Sequence, residues 1–571
     1  MMRRAFAPAL GLLLTSLACA GGCRGDGTPP HPSPQDPIGA RPDAGTLLGD
    51  PVVEIDASGK RRNNAPIGTN LGLMSDYSGE WPFVDAFKTS RPWISGTRAT
   101  WDDQRPLLLD AHGWVRELAP DQLARTLFFF RDGGMDYPGG RYVVRWKGKG
   151  RLEVFNAQQV EAGDNRLVIQ AAPPNGFGLL LTATDPSDYV REIEVLMPGG
   201  SCAGDPQRYC VEAAQCPDAR CVPFEQTASA QPFHPLFLAR IAPYRAIRFM
   251  DWMRTNGSMQ TTFDGRPAPG EARYNVRGVP LEVMIDLANR LSADPWFTLP
   301  HRADADYIRR FAQVVKEQLR PALRVYVEHS NEVWNGIFEQ SRYAQQAGQA
   351  QGLSNNAFEA QLRWHADRSL LVFRTFSEVF GDPARVVRVM GSMAVNPWVS
   401  RTLLGWHDAS KETDALAIAP YFAYELGQPE RAGWTTSASD DEVYKYLEQT
   451  ALPEIARGVR AQAEVAQTAG VRLVAYEGGQ HMVGGGAMIQ NQALTDRLIA
   501  LNRSPRMKAA YLRYLDDWKQ AGGELFLHYV ACQAPSRYGS WGALESLSQP
   551  RAKAPKHDAL MQVIEQHPNG W

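Results

Sequence analysis

The spacing of hydrophobic and polar positions changes character twice along this chain. Between about 92 and 230 the apolar residues form short runs, 107–115, 141–146, 151–155, 166–171 and 179–184, split by Gly, Pro, Asn and Asp. Such runs predict the strands of a small sheet or sandwich. From His234 onward, apolar runs alternate with amphipathic stretches. Behind Pro280, the residues Leu281, Met284, Ile285, Ala288 and Leu291 share one helical face. Ile308, Phe311, Val314, Val315 and Leu319 do the same between Asp304 and the stop at Pro321. Further helices are predicted over 338–380, 441–468 and 508–522. Strands are predicted at 66–74, 246–252, 296–300, from 325, at 386–393, 414–421, from 471 and at 524–531. Strands separated by helices pair in parallel, and eight such units predict an α/β fold closed as a (β/α)8 TIM barrel. A doubly wound sheet is the alternative, but no Gly-rich phosphate fingerprint follows the first strand. The barrel is assigned to 51–91 and 231–571, and the β-rich insertion to 92–230.

The first fifty residues follow other rules. Met1-Met2-Arg3-Arg4 supplies a positive start, and Ala5 to Ala18 an apolar run too short to span a bilayer. Residues 1–23 therefore read as a signal segment. Cys19 and Cys23 each follow a small residue, as in the lipobox of bacterial lipoproteins, although the Leu preferred three residues before the Cys is missing from both. An ordinary secretory signal is the other reading. Either takes the protein to the cell envelope or beyond. Residues 24–50, rich in Pro, Gly and Asp, read as a disordered linker.

Charge and cysteines narrow the function classes. A net charge of −2 without long like-charge runs argues against a nucleic-acid partner held by phosphate contacts. A membrane partner is expected only through an N-terminal lipid. Cys202, Cys210, Cys216 and Cys221 crowd one segment. Four cysteines allow three pairings. Two disulfides stapling a surface loop fit an oxidising compartment better than zinc, because no Cys-x-x-Cys pair is present. Cys532, in an apolar run, reads as a buried free thiol. Gly484 to Gly486 lacks the Lys and spacing of a P-loop and reads as a mobile loop over the site. No metal and no cofactor is implied.

The candidate chemistry lies in two strand ends. VYVEHSNEVWN, from Val325, delivers Glu332, and VRLVAYEGGQH, from Val471, delivers Glu477. Barrel chemistry sits at the C-terminal ends of the strands. Closure would bring the fourth and seventh ends to opposite sides of one mouth. Two facing carboxylates suit glycoside cleavage, one protonating the leaving oxygen and the other attacking or activating water. The competing readings are a helix cap for Glu332 and a structural ion pair for Glu477. By alternation Glu328 shares the face of Glu332, and it is either a second-layer residue inside the barrel or a rival for the acid role, ranked lower because it sits deeper.

Asn331-Glu332 closing strand four, with Glu477 closing strand seven, resembles the clan of retaining glycoside hydrolases built on this barrel, clan GH-A. The resemblance spans roughly 60–90 and 235–550 and leaves the insertion unexplained. The chain is also similar to secreted bacterial proteins described as cellulose-binding. The clan resemblance implies that Glu332 is the general acid/base, Glu477 the nucleophile, and Asn331 a ligand of the sugar 2-hydroxyl. Glu477 must be ionised, so it needs donors. Arg248 and Tyr421 are the candidates, with Asp251 a rival partner for Arg248. His301 would position Glu332 or a sugar hydroxyl. Trp541 would form a platform under the sugar, and Trp334 and Trp252 are further stacking candidates. The expected partner is a β-linked polysaccharide or oligosaccharide. The alternatives are a carbohydrate-binding surface lipoprotein without catalysis and an envelope scaffold whose insertion binds a partner.

Overall fold

A computed structural model describes residues 50–571 apart from 52–54, 56–60 and 62–63. The signal segment, Cys19, Cys23 and linker residues 24–49 lie outside the described residues. Eight parallel strands close into a barrel in chain order. They are β1 (Ile67–Asn70), β2 (Ala246–Arg248), β3 (Asp294–Leu299), β4 (Val325–His329), β5 (Val386–Gly391), β6 (Ala415–Ile418), β7 (Arg472–Ala475) and β8 (Gly523–His528). Closure is made by β1 against β8, with Ile67 opposite Phe526 and Thr69 opposite His528.

Alternation sorts the strand residues between two cores. Ala246, Trp296, Tyr326, Val387, Val389, Ala415, Ala417, Val474, Tyr476, Leu525 and Leu527 pack together inside the barrel. Their neighbours Ile247, Phe297, Val325, Val327, Leu416, Leu473 and Phe526 pack outward in the larger core with the helices. The strands are shorter than the apolar runs suggest. The run from 66 to 74 yields four strand residues and the run from 246 to 252 three.

The helical stretch 338–380 divides into Glu339–Ala350 and Ala357–Phe380. It breaks beside Gly352, whose φ of +67° favours glycine. Helices Gln492–Arg503 and Pro555–Gln566 were not anticipated. Among the described residues, no helix is long and apolar enough to cross a membrane. Asp50, grouped with the linker by composition, is instead drawn into the fold. Its carboxylate meets Arg240 Nη1 at 2.8 Å and His557 Nε2 at 2.8 Å.

Two four-stranded antiparallel sheets occupy the connection between β1 and β2. One contains Ile94–Gly96, Leu123–Phe128, Phe177–Thr184 and Gly150–Phe155. The other contains Arg191–Leu196, Gly140–Lys147, Arg166–Ala171 and Gln158–Gly163. Tyr142 of one meets Phe177 of the other, ring centroids 5.1 Å apart. The run 107–115 is not one strand but a hairpin, Leu108–Leu109 against Val115–Glu117. Cys202 bonds Cys216 and Cys210 bonds Cys221, so disulfides rather than zinc occupy this segment. Cys532 is buried and free.

This insertion departs from the C-terminal end of β1, the face where barrel active sites form. It is docked there. Val195 N–H donates to Asp85 at 2.8 Å, and the Arg273 guanidinium lies over Phe87 and Trp93 at 4.4 and 4.5 Å. Arg131 donates to the Pro535 carbonyl in the loop after β8.

Candidate active site

The centre of the mouth is Arg248, the last residue of β2, fully buried. All three of its guanidinium nitrogens are engaged. Nε donates to Glu328 at 3.0 Å, and Nη2 lies 3.0 Å from the same carboxylate oxygen as an ion pair. Nη1 bonds Asn70 at 3.2 Å and Glu477 at 2.8 Å. Nη2 also bonds Asn331 at 2.9 Å. Burial opposes the guanidinium charge, but Glu328 and Glu477 outweigh it and keep Arg248 protonated. Arg248 does not hydrogen-bond Asp251, the rival partner. The donor to Asp251 is Tyr529 Oη, at 3.2 Å.

Glu328 points into the barrel, where Trp296 Nε1 also donates to it at 2.9 Å. It is a second-layer ion-pair partner and not a rival acid. A Cβ on Gly391 of β5 would stand 2.9 Å from Glu328 Oε1, so the closely approaching strand needs its glycine.

Glu332 does not end a strand. β4 stops at His329, and alternation breaks there, since Ser330 and Glu332 take φ of +60° and +42°. Two non-glycine residues in the left-handed region are strained backbone, of the kind that gathers at functional sites. The turn aims Glu332 at the mouth. Oε1 accepts from Tyr476 Oη at 2.9 Å and Oε2 from Asn335 at 2.8 Å. Glu477 stands two residues beyond β7. Its other oxygen accepts from Tyr421 Oη at 3.0 Å.

The two carboxyls thus face different partners. Glu332 has only neutral donors, while Glu477 has a guanidinium and a phenol. Burial, then the charge of Glu477, raises Glu332 to about 7 against the pull of Asn335 and Tyr476. Burial also raises Glu477, but Arg248 and Tyr421 oppose it. Glu477 is therefore the first of the pair to ionise.

Asn331 is fixed by Arg248 on its oxygen and by Asn256 on its nitrogen, 3.0 Å, which leaves one amide N–H free. Trp541 packs edge-on against Tyr421, His481 and Tyr529 with ring centroids 5.7, 5.0 and 6.0 Å away. Trp334, half-buried beside Glu332, has an indole N–H without a partner. One expectation fails and half of another does. Trp252 is 1 % exposed and packed among Phe83, Phe237 and Phe249, so no sugar can stack on it. Its run continues the β2 apolar sequence, but its ring turns to the outer core. His301 does not position Glu332. Its Nε2 lies 2.8 Å from Glu339, and burial lowers it to about 4.

The sequence reading passed over Asn70, Tyr476, Asn335 and His481. Tyr476 precedes Glu477 and reads as a core aromatic. His481 is buried with neither ring nitrogen bonded, against Trp541. The signal in hand was its place in the VRLVAYEGGQH segment.

No family model and no curated protein matches the chain. Among solved structures, a 4-O-α-L-rhamnosyl-β-D-glucuronidase from Fusarium oxysporum shares 12% identity at a TM-score of 0.35. The match covers 56% of this chain and 60% of that one, less than two thirds of its length. An endo-β-1,4-mannanase from Thermotoga petrophila shares 12% over 58% of this chain and 72% of that one, at 0.32. A glycoside hydrolase family 5 mannosidase from Rhizomucor miehei shares 9% over 58% and 89%, at 0.30. At those scores, fold and chemistry rest on the strand pairing and the side chains of the mouth.

Proposed function

We propose that this protein is a retaining glycoside hydrolase acting on a β-linked polysaccharide or oligosaccharide. The observation that carries the reading is the unequal support of two buried carboxyls in one mouth. Glu332 keeps its proton near neutrality and serves as the acid. Glu477, held by Arg248 and Tyr421, is the nucleophile. In the first step Glu332 passes its proton to the glycosidic oxygen as Glu477 attacks the anomeric carbon and the leaving sugar departs. In the second, Glu332, now ionised, takes a proton from water, which displaces Glu477 from the sugar. Asn331, through its free N–H, binds the 2-hydroxyl, and Trp541 lies under the ring.

Export fits the same reading. Two disulfides suit an oxidising compartment, and the N-terminal segment suits secretion or lipid attachment at Cys19 or Cys23.

The test is an aryl-glycoside and polysaccharide panel with wild type, Glu332→Gln and Glu477→Gln. Each variant should lose about 10²–10⁴-fold or more in kcat. Activity should fall as pH rises through about 7, where Glu332 loses its proton. The first product should keep the anomeric configuration. Wild-type rates in both variants would refute the assignment, and an inverted product would remove the nucleophile role. Glycan binding without cleavage by wild type would favour the carbohydrate-binding lipoprotein.

A further inference from the structure

A third carboxyl stands at the mouth without a catalytic part. Asp251, three residues past the end of β2, is half-buried. Its hydrogen-bond donor is the phenol of Tyr529, which directly follows β8. The Tyr529 ring lies 6.0 Å from Trp541 and 6.5 Å from Tyr421, the residue that holds Glu477. Asp251 and Tyr529 therefore form the wall of the cleavage position on the nucleophile's side.

The buried cation beside this wall is already engaged. Each nitrogen of Arg248 donates to a protein acceptor, among Glu328, Asn70, Glu477 and Asn331, and its charge is paired with Glu328 and Glu477. Arg254 is exposed, donates to the Asn275 carbonyl and acts on Asp251 only as a solvent-screened charge without a hydrogen bond to it. Behind Asp251, Glu80 is 4 % exposed and its Oε1 has no hydrogen-bond partner. Asp251 thus offers acceptor oxygens and negative charge to anything that enters beside Glu477.

We infer that Asp251, held by Tyr529, is a specificity-determining residue of this site, accepting hydrogen bonds from the hydroxyls of an uncharged sugar and rejecting sugars that carry a carboxylate. The inference rests on the glycosidase reading above. Hydroxyl donors satisfy Asp251 as the mouth loses its water. A uronic-acid carboxylate there would meet Asp251 and Glu477, while the buried Arg248 is already engaged and Arg254 is screened by solvent. Burial and then the Glu477 charge raise Asp251 to about 7, against the pull of Tyr529, Arg248 and Arg254.

The experiment compares kcat/KM for a neutral aryl β-glycoside panel and the matching β-uronides in wild type, Asp251→Asn and Tyr529→Phe. Binding of the corresponding oligosaccharides to Glu332→Gln is measured in parallel. Wild type should prefer the neutral sugar by at least about 10²-fold. Asp251→Asn should reduce that ratio by about 10-fold or more, chiefly through a loss on the neutral substrate. Tyr529→Phe should move the ratio the same way by less. A melting temperature near wild type separates this loss from misfolding. An unchanged ratio in an active enzyme, or a wild type that prefers uronides, overturns the inference alone. If wild type cleaves nothing and Glu332→Gln binds nothing, the inference and the glycosidase reading fall together. If glycans bind without cleavage, the same ratio is read from dissociation constants of wild type and Asp251→Asn.

Discussion

The barrel mouth and the β-rich insertion are built from the same ionic vocabulary, arginine with glutamate, and use it in opposite ways. In the mouth, Arg248 is fully buried between Glu328 and Glu477, and each guanidinium nitrogen has an acceptor. On the insertion, Arg98 pairs with Glu153 at 2.9 Å and Arg166 with Glu225 at 2.9 Å, with arginine side chains 65% and 39% exposed. Water screens the second kind and leaves each pair worth little. The first kind is screened by nothing, so removing one member strands the others. The mouth is an interdependent electrostatic unit, while the insertion wears its charge as a solvated face.

The largest break in that contrast is Arg248→Met. It leaves Glu328 and Glu477 buried without their cation and should cost about 3–5 kcal/mol of stability at pH 7. Urea denaturation at pH 7 and pH 5 checks it. The loss should shrink at pH 5, where the stranded carboxyls take up protons. A loss below about 1 kcal/mol at pH 7 would place the mouth among the surface pairs.

Glu332→Gln is next in size and has the opposite sign. Glu332 sits at about 7 in the folded chain against an ordinary value of 4.5. Below pH 4.5 both folded and unfolded chains hold this proton, and folding bears no cost. Between 4.5 and about 7 the unfolded chain releases it first, so stability drains away as pH rises, and the deficit levels off above 7. An amide removes the titration. The variant should therefore exceed wild type by about 1–3 kcal/mol at pH 8, a value discounted for the Asn335 contact it disturbs, and match it near pH 4. Melting curves at the two pH values decide it. Equal stability at pH 8 would mean that Glu332 is not strained by its setting.

Strand order and the two carboxylate-bearing segments were legible because helix and strand periods are written in local sequence. What failed was direction. Alternation carried along β4 puts Glu328 and Glu332 on one face, but the left-handed turn at Ser330 and Glu332 cannot be read from Ser-Asn-Glu. Trp252 and Trp296 are equally plausible tryptophans in the sequence. One packs into the outer core and the other donates to Glu328 inside the barrel. The network around Arg248 draws on β1, β2, β4 and the segment after β7, so no window of sequence contains it. In the insertion, Gln158–Gly163 was missed because all of its side chains are exposed and no apolar alternation marks it. Cysteine pairing was open for a similar reason, since spacing does not reveal which chains cross.

The smallest effect belongs to the insertion and tests the other half of the contrast. Arg98 reaches across to Glu153, each on its own segment of the first sheet's rim, and its arginine is mostly in water. Arg98→Ala gives up one screened ion pair and regains the freedom of a long side chain. Its cost should lie within about 0.5 kcal/mol, and the double variant with Glu153→Ala should show coupling no larger. Salt at 0.5 M should weaken what remains, since exposed charges are screened by counterions, while the same salt should leave the Arg248→Met deficit largely in place. A salt-resistant coupling of 2 kcal/mol at Arg98 would mean that the insertion is wired as the mouth is, and that burial alone does not separate the two regions.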